Sequence, residues 1–304
     1  MTARADGSRG ALAAGERVLL VDAKSRRYLL TLKTGAQFHT HAGIVDHDSI
    51  IGGPEGVSVT GSTGRLFLVV RPTLTDVVLK MPRGAQVIYP KDLGAILLGA
   101  DIGPAMRVLE AGVGSGALSM ALLRAGADVV GYELRPDFAA GARRNVAAWS
   151  GTEVPYRVEE RDVYAGIDET ALDRVVLDLP EPWRVLPHAE KALRPGGILL
   201  AYLPTINQVA ALRGALARSA FGLAETSEIL RRTWHVEERS VRPDHRMVGH
   251  TGFLTTARLL VPPADGPVVA TPEVGADDDA GRGHGGADDD AGSSDAGADD
   301  DARW

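Results

Sequence analysis

The sequence predicts an α/β protein in which a Rossmann-like, mostly parallel sheet follows a small N-terminal antiparallel β-domain. Two observations support this prediction. Strand-like and helix-like segments alternate between residues 107 and 261, and this alternation is the pattern that builds a parallel sheet. Between residues 15 and 75, short β-rich runs are separated by polar turns, and such runs favour an antiparallel sheet.

Composition and charge exclude several classes of protein. The 304-residue chain is 44% hydrophobic, but it has no run approaching the ~18 apolar residues of a membrane span, so we expect a soluble, cytoplasmic protein. Its lack of cysteine excludes disulfides, cysteine metal sites and a cysteine nucleophile. The net charge is −7, yet residues 261–304 alone carry −10, so the other 260 residues carry +3. A mildly basic body is compatible with a nucleic-acid partner.

The chain before residue 107 divides into three predicted segments. Residues 1–14 are small, polar and aperiodic, and we expect them to be disordered. Residues 15–75 hold the β-rich runs RVLLVD, RRYLLTL and GRLFLVV. Residues 76–106 form a predicted linker and lead-in helix, because MPRGAQVIYPKD is broken by prolines and a glycine before an apolar stretch. In this linker Tyr89 and Lys91 either present an aromatic ring and a cation side by side or belong to an ordinary turn with a core tyrosine.

Histidines concentrate in the segment FHTHAGIVDHDSIIG of the predicted β-domain. Strand alternation would place His39 and His41 on one face, where both could bind a metal ion. No third ligand is fixed by the pattern, so we predict no metal site and expect these histidines to contact substrate or to pack within the domain.

A glycine-rich turn at residues 108–119, VLEAGVGSGALS, is the feature around which the α/β domain is predicted to form. β-compatible residues lead into Glu110, glycines alternate after it, and the apolar residues beyond have helical spacing. Glycine lets a ligand lie against the backbone, and the following helix offers free N–H groups, so a nucleotide-like ligand is predicted. Glu133, 17 residues beyond Gly116, is near the usual acidic position of a dinucleotide site. The glycine spacing alone does not separate NAD from S-adenosylmethionine.

Four carboxylates stand at the ends of four predicted strands. Glu110 and Glu133 end the first two strands, Asp162 lies near the end of a third at residues 156–163, and Asp178 lies in a fourth at residues 173–179. Ligands of open α/β sheets bind beyond the carboxyl ends of strands, so these side chains are expected to surround the site. Further strands are predicted near residues 198–203, 223–231 and 250–260, with a helix capped by Thr205 and Gln208.

The last segment, residues 262–304, repeats an Asp triplet every eleven residues. Glycines interrupt the repeats and apolar residues are scarce, so we expect a disordered acidic tail. Such a tail would aid solubility or keep nucleic acid off the adjacent basic surface.

Seven motifs between residues 16 and 260 together resemble the tRNA (adenine-58-N1)-methyltransferase family. They are FHTHAGIVDHDSIIG, PRGAQVIYPKD, VLEAGVGSGALS, YELRPD, LDLPEPW, AYLPT and GHTGFL. Within the turn, Glu110-x-Gly112-x-Gly114-x-Gly116 resembles the glycine motif of class I S-adenosylmethionine-dependent methyltransferases. The resemblance implies a class I methyltransferase domain behind the small β-domain, S-adenosylmethionine as cofactor, and a homotetramer acting on tRNA.

The resemblance also implies roles for individual residues. Asp178 would be the catalytic aspartate and Tyr89 the active-site tyrosine. Glu133 would hold the ribose hydroxyls, and Asp162 would lie by the cofactor adenine. The residues implied in cofactor binding are Glu110, Gly112, Gly114, Ser115, Gly116, Ala117, Leu118, Glu133, Asp162 and Asp178.

The resemblance implies methyl transfer to N1 of adenine 58 in the T-loop of tRNA, and chemical arguments weigh against four alternatives to this reaction. Methylating C5 of a pyrimidine normally requires a cysteine nucleophile, which is absent. Methylating another adenine position, the exocyclic N6, would favour an Asn/Asp-Pro-Pro-aromatic motif, from which LDLPEPW departs by inserted residues. A non-catalytic tRNA-binding subunit would be expected to lose the cofactor and aspartate motifs. No catalytic constellation of an NAD dehydrogenase accompanies the turn.

Overall fold

The computed structural model describes residues 10–84 and 86–261, so the predicted acidic tail lies outside the described residues. Most of the predicted disordered segment 1–14 lies outside them as well. Its last part differs from the prediction, because Leu12 is buried in the core of the small β-domain at 1% exposure. The backbone N–H of Leu12 donates to the carbonyl of Gly53 at 2.8 Å, and this bond holds the segment against the sheet.

The first part of the chain forms six short antiparallel strands. They are β1 (Arg17–Asp22), β2 (Arg27–Thr31), β3 (Gln37–Thr40), β4 (Gly43–Asp46), β5 (Val57–Thr60) and β6 (Leu66–Val70). One sheet has the order β2-β1-β6-β5, and β3 pairs with β4 in a separate hairpin. Alternate residues of β6, such as Phe67 and Val69, are fully buried while Leu66 faces outward, which confirms the predicted antiparallel sheet.

His39 and His41 were predicted to share one strand face, but they do not. His39 lies in β3, whereas His41 lies in the turn between β3 and β4 because the hairpin reverses there. His47 is buried, and its Nδ1 accepts a hydrogen bond from the backbone N–H of Lys33 at 3.0 Å. Within residues 10–84 and 86–261, no three His, Asp or Glu side chains are grouped so that they could hold a metal ion.

Two helices, α1 (Leu74–Lys80) and α2 (Pro90–Gly99), connect the two sheets. A lead-in helix was predicted within residues 76–106, and α2 lies there. Pro90, which was expected to break regular structure, instead stands in the first turn of α2. The sequence did not predict α1, which is short but strongly capped. Thr73 and Asp76 form a capping box, and Asp76 also pairs with Arg27 of β2 at 2.9 Å.

The rest of the chain forms a mixed seven-stranded sheet with helices packed against it. Its elements are β7 (Arg107–Ala111), α3 (Ala117–Arg124), β8 (Asp128–Glu133), α4 (Pro136–Ser150), β9 (Tyr156–Glu160), β10 (Leu172–Leu177), α5 (Leu186–Ala192), β11 (Leu193–Leu203), α6 (Ile206–Leu216), β12 (Phe221–Glu228), β13 (Trp234–Glu237), β14 (Ser240–Pro243) and β15 (Phe253–Leu259). The sheet order is β12-β15-β11-β10-β7-β8-β9, with β13 and β14 in a separate hairpin. The five strands from β11 to β9 are parallel, and β15 is antiparallel to both of its neighbours.

The strand order reverses beside β7. From β7 the chain runs outward through β8 to β9, then crosses to β10 on the other side of β7. The carboxyl ends of β7 and β10 therefore flank the crevice in which an open α/β sheet binds its ligand. This topology places the glycine-rich turn after β7 directly opposite Asp178, the residue that follows β10.

Strand ends and short elements differ most from the sequence prediction. β9 ends at Glu160 and β10 at Leu177, so Asp162 and Asp178 lie in loops beyond their strands. Neither α5 nor the hairpin of β13 and β14 was predicted, because α5 follows a proline-rich segment and the hairpin has hardly any buried residues. In the part of the chain that the structure describes, no helix is long and apolar enough to span a membrane.

Candidate active site

Three glycines shape the turn between β7 and α3, and each meets a different constraint. A Cβ on Gly112 would lie 3.3 Å from the carbonyl oxygen of Asp178, so the two loops approach closely only because Gly112 has no side chain. Gly114 has φ +55°, and a Cβ there would point into open space. Gly116 has φ +82°, and a Cβ there would press on Ala142 and Val146 of α4. Gly116 therefore serves helix packing, and it does not line the cavity described next.

A small cavity of about 20 Å³ lies beyond the end of β7. It collects seven of the ten residues that were predicted to bind cofactor. These are Glu110, Gly112, Gly114, Ser115, Ala117, Leu118 and Asp178. Segment 86–88 of the linker closes the other side, so the linker reaches over the glycine turn.

Glu110 is almost fully buried, and only one of its carboxylate oxygens is satisfied. Its Oε2 accepts a hydrogen bond from the Ser119 hydroxyl at 2.5 Å, and the Ser119 oxygen accepts another from the Tyr156 hydroxyl at 3.0 Å. Its Oε1 is buried without a hydrogen-bond partner among the described residues. Burial raises the pKa of Glu110 to about 8, and the nearby Asp178 and Glu133 carboxylates add to this rise.

Glu133, at the end of β8, holds the glycine turn. Its Oε2 accepts a hydrogen bond from the backbone N–H of Gly114 at 2.9 Å, and its Oε1 accepts another from the N–H of Arg135 at 3.0 Å. Glu133 does not line the small cavity, but Oε2 lies 3.8 Å from the position that a Cβ on Gly112 would take. Its side chain is therefore beside the turn, at the predicted strand end.

Asp162 was predicted to bind the cofactor, but it lies away from the other predicted site residues. It is partly exposed, and its Oδ1 accepts a hydrogen bond from the backbone N–H of Tyr164 at 2.9 Å. It lines neither cavity of the site. It follows β9, the edge strand next to β8, so it lies farther along the same end of the sheet.

A second, larger cavity of about 360 Å³ adjoins the first. Its lining includes Tyr89 and Asp178, the two predicted catalytic residues. The other lining residues are Gln86, Val87, Ile88, Tyr202, Pro204, Val248, His250 and Thr251. The two cavities share segment 86–88 and Asp178, so the Asp178 side chain stands at the boundary between them.

The Asp178 carboxyl lies in a setting that disfavours its charge. Burial raises the pKa of Asp178 to about 6, and the neighbouring Glu133 carboxylate adds to the rise. Such a carboxyl is ionised near neutral pH, yet it takes up a proton more readily than an ordinary aspartate. It can therefore accept a hydrogen bond or a proton from a group in the larger cavity.

Lys91 does not present its cation to a ligand, contrary to one of the two predicted alternatives. Its side chain is 7% exposed and its Nζ donates to Asp92 Oδ1 at 2.7 Å. Asp92 is fully buried, so the ammonium turns inward and serves as its counter-ion. Of the pair Tyr89 and Lys91, only Tyr89, the N-cap residue of α2, lines the larger cavity.

Three other residues line the larger cavity without a role predicted from the sequence, namely Tyr202, His250 and Thr251. Tyr202 lies at the carboxyl end of β11, and its hydroxyl donates to the Thr251 carbonyl at 2.7 Å. Burial raises the pKa of Tyr202 to about 12. Its position follows the same strand-end pattern as Asp178, so that pattern could have identified Tyr202. No local pattern predicts His250 and Thr251, which come from the loop before the antiparallel β15.

Comparison with known proteins identifies the family to which the chain is similar. The family model described as tRNA methyltransferase complex GCD14 subunit matches residues 66–245, and a model described as TrmI-like N-terminal matches residues 10–59. The chain is similar to a tRNA (adenine(58)-N(1))-methyltransferase TrmI of Thermus thermophilus, with 43% identity over 79% of this chain and 96% of the relative. It is also similar to a tRNA (adenine(57)-N(1)/adenine(58)-N(1))-methyltransferase TrmI of Methanocaldococcus jannaschii, with 38% identity over 81% of this chain and 96% of the relative.

Solved structures agree with these sequence matches. A SAM-dependent O-methyltransferase from Thermotoga maritima has a TM-score of 0.80 and 32% identity, and the match covers 83% of this chain and 96% of that one. The tRNA (m1A58) methyltransferase TrmI from Aquifex aeolicus has a TM-score of 0.74 and 30% identity, covering 83% of this chain and 100% of that one. The matches confirm the predicted fold class, and the chain belongs to the TrmI family of tRNA (adenine-58-N1)-methyltransferases.

Proposed function

We propose that this chain transfers a methyl group from S-adenosylmethionine to N1 of adenine 58 in the T-loop of tRNA. The relatives named for this reaction match nearly their whole length. The observation that carries the proposal is the position of Asp178 on the boundary of two adjoining cavities. One cavity is bordered by the glycine turn and the other by two tyrosines. A methyl donor and an acceptor base would therefore meet beside one carboxylate.

The residues around the glycine turn fit S-adenosylmethionine. The cofactor carries a sulfonium and an ammonium, and the carboxylates of Glu110, Glu133 and Asp178 influence one another at this end of the sheet. Glu110 Oε1 is a buried acceptor without a partner in the described structure, as an ammonium ligand requires. Gly114 leaves open space where a side chain would stand.

We assign the residues of the turn and the strand ends to three parts of the cofactor. Glu110 would hold the methionine end, and residues 112–118 would line it, with Gly116 acting through its packing on α4. Glu133 would accept hydrogen bonds from the ribose hydroxyls with the lone pairs that Gly114 and Arg135 leave free. Asp162, at the next strand end, would lie by the adenine. The support is their order along the sheet edge, β7 to β8 to β9.

The larger cavity would receive the target base. When bound, S-adenosylmethionine would supply a methyl group on a sulfonium. The N1 lone pair would form the new N–C bond in line as the S–C bond breaks, and the sulfur would leave as a neutral thioether. The protein must therefore place N1 near that methyl group and exclude water. N1 lies on the Watson–Crick edge, so adenine 58 must leave its pairing partner to enter the cavity. The exocyclic amine would donate to Asp178, and the Tyr89 ring would pack on the base.

Asp178 would also meet the charge that the reaction creates. When the N1 lone pair forms the new N–C bond, the adenine becomes cationic, and its acidified amine either keeps its proton or passes it to a base. A carboxylate beside that amine stabilises the cation, or takes the proton. Asp178 suits both roles because its pKa is raised to about 6.

We further propose that the chain acts in the cytoplasm as a homotetramer. The hairpin of β13 and β14 exposes Trp234, Val236 and Val241 to between 56% and 67%, and such apolar surface favours contact with another protein surface. Light scattering is expected to give four times the 32.0 kDa mass of the chain. A mass equal to that of one chain would contradict the assembly.

The assignment of Glu133 predicts the response of cofactor binding to mutation. Glu133→Ala should weaken S-adenosylmethionine binding by about 1.5 to 3 kcal/mol, because it removes charge-assisted hydrogen bonds to the ribose and frees the Gly114 N–H. Titration calorimetry measures this loss. The exposed Glu153→Ala should bind as the wild type does. Tight binding of NAD by the wild type, without binding of S-adenosylmethionine, would contradict the cofactor assignment.

The assignment of Asp178 predicts the response of the reaction rate. Asp178→Ala should lower the rate of 1-methyladenosine formation in tRNA at least ~10-fold, and ~10²-fold if the carboxylate also takes the amine proton. Asp178→Asn separates these roles, since its amide oxygen still accepts a hydrogen bond but takes no proton. Mass spectrometry of tRNA nucleosides measures the product, with the exposed Asp137→Asn as control. Wild-type activity in Asp178→Ala would refute the mechanism.

The raised pKa of Asp178 predicts an acidic limb in the pH profile. The carboxylate form is present above a pKa of about 6 and is lost as the pH falls through it, so kcat/KM for tRNA should fall toward acid. In kcat the limb should lie at lower pH, because a bound cation favours the carboxylate. Initial rates between pH 5 and 8 measure both profiles. An identical limb in Asp178→Asn would assign the titration to another group.

A further inference from the structure

The residues that follow Tyr89 form a buried polar network that the reaction itself does not use. Lys91 Nζ donates to three acceptors, namely Asp92 Oδ1 at 2.7 Å, the Thr251 hydroxyl oxygen at 2.5 Å and the Ile229 carbonyl at 2.6 Å. The Thr251 hydroxyl donates in turn to Asp92 Oδ2 at 2.7 Å. All three donor hydrogens of the ammonium and both oxygens of the carboxylate are thus engaged.

This network joins three segments that are far apart in the chain. Lys91 and Asp92 lie in the first turn of α2, Ile229 follows the end of β12, and Thr251 lies in the loop before β15. A fourth segment joins through Tyr202 of β11, whose hydroxyl donates to the Thr251 carbonyl at 2.7 Å. Tyr89, Tyr202 and Thr251 all line the larger cavity, so the network fixes most of the segments that form its wall.

A buried ion pair is a poor means of adding stability. Removing two charges from water costs about as much free energy as their attraction returns, and apolar side chains of similar volume often stabilise a protein equally well. What the pair does supply is a fixed geometry, since each hydrogen bond sets both a distance and an angle between the groups it joins. Here the hydrogen bonds join α2, whose N-cap is Tyr89, to the loop that carries His250 and Thr251. They therefore restrain the distance between Tyr89 and that loop.

We infer that Lys91, Asp92 and Thr251 are positioning residues for methyl transfer. They hold Tyr89 on one side, and residues 248–251 on the other, at the separation that orients the target adenine toward Asp178. None of the three is a catalytic residue in this scheme. The inference rests on the proposed function, because it assigns the larger cavity to the base.

Substitutions of Thr251 test the role of the network with the least risk to folding. Lys91→Met would leave the fully buried Asp92 without a counter-ion and would put folding itself at risk. Thr251→Val instead keeps the shape and removes only the hydroxyl, whereas Thr251→Ser keeps the hydroxyl. The matched control is Thr255→Val, because Thr255 is fully buried in β15 and its hydroxyl bonds only Thr226, at 2.9 Å.

The measurements are kcat and KM with a tRNA transcript, the dissociation constant for S-adenosylmethionine, and Tm. We expect Thr251→Val to lower kcat ~10-fold or more, because small misplacements of reacting groups have large effects on rate. Thr251→Ser should stay within ~3-fold of the wild type, and all variants should bind S-adenosylmethionine with unchanged affinity. Thr255→Val should lower Tm less than Thr251→Val does, because its hydroxyl bonds a neutral partner, and it should not lower kcat.

Two results would overturn the inference while leaving the proposed function intact. One is a kcat of Thr251→Val equal to that of Thr255→Val, which would make the network purely structural. The other is a Thr251→Ser variant as slow as Thr251→Val, which would show that shape matters and the hydroxyl does not. A wild-type enzyme that forms no 1-methyladenosine at position 58 would instead overturn the proposed function, and this inference with it.

Discussion

The close approach of the two loops that follow β7 and β10 is the constraint on which the site depends. The backbone N–H of Asp178 donates to the Ala111 carbonyl at 2.7 Å, so the ladder between the two strands continues one residue beyond β10. Gly112 then faces the Asp178 carbonyl across a gap that a Cβ would fill. A Cβ at position 112 would lie 3.3 Å from this oxygen, so the two loops would have to adjust by a few tenths of an ångström.

Electrostatic repulsion among the carboxylates at this end of the sheet opposes folding. Glu110 and Asp178 have raised pKa values of about 8 and about 6, so their ionised forms are disfavoured in the folded chain. The stability that their protonated forms contribute is therefore lost as the pH rises from the ordinary carboxyl range through these values. A cationic ligand relieves the repulsion, and a neutral thioether product does so less. The same carboxylates would thus favour binding of S-adenosylmethionine and release of the product.

The larger cavity depends on a different kind of contact. Its wall comes mainly from the segment that ends at Tyr89, the N-cap of α2, from the end of β11 and from the loop before β15. Hydrogen bonds among Lys91, Asp92, Thr251 and Tyr202 hold α2, β11 and this loop together. Gly252 permits this arrangement, because a Cβ there would lie within 2.8 Å of the Tyr202 ring. Most of the cofactor side comes from one βαβ unit, with segment 86–88 and Asp178 added to it, whereas the base side is assembled from distant segments.

Local patterns in the sequence determined much of this protein. The glycine turn, the α/β order, the strand β8 at residues 128–133 and the carboxylates at strand ends follow from periodicity and from the φ values that only glycine adopts with ease. The motifs also predicted the family to which the chain belongs. Such features depend on neighbours within a few residues, so a single sequence contains them. The predicted domain boundaries and residue roles stay predictions.

Only the tertiary structure decided which of these residues meet. The hydrogen bonds that Lys91 and Asp92 make with Thr251 join positions about 160 residues apart, and no local pattern specifies them. Gly116 turned out to pack on α4, and Asp162 to lie apart from both cavities, because sheet order and helix packing set these distances. Burial decides whether a charged side chain faces a ligand or a counter-ion, and burial is a property of the whole fold.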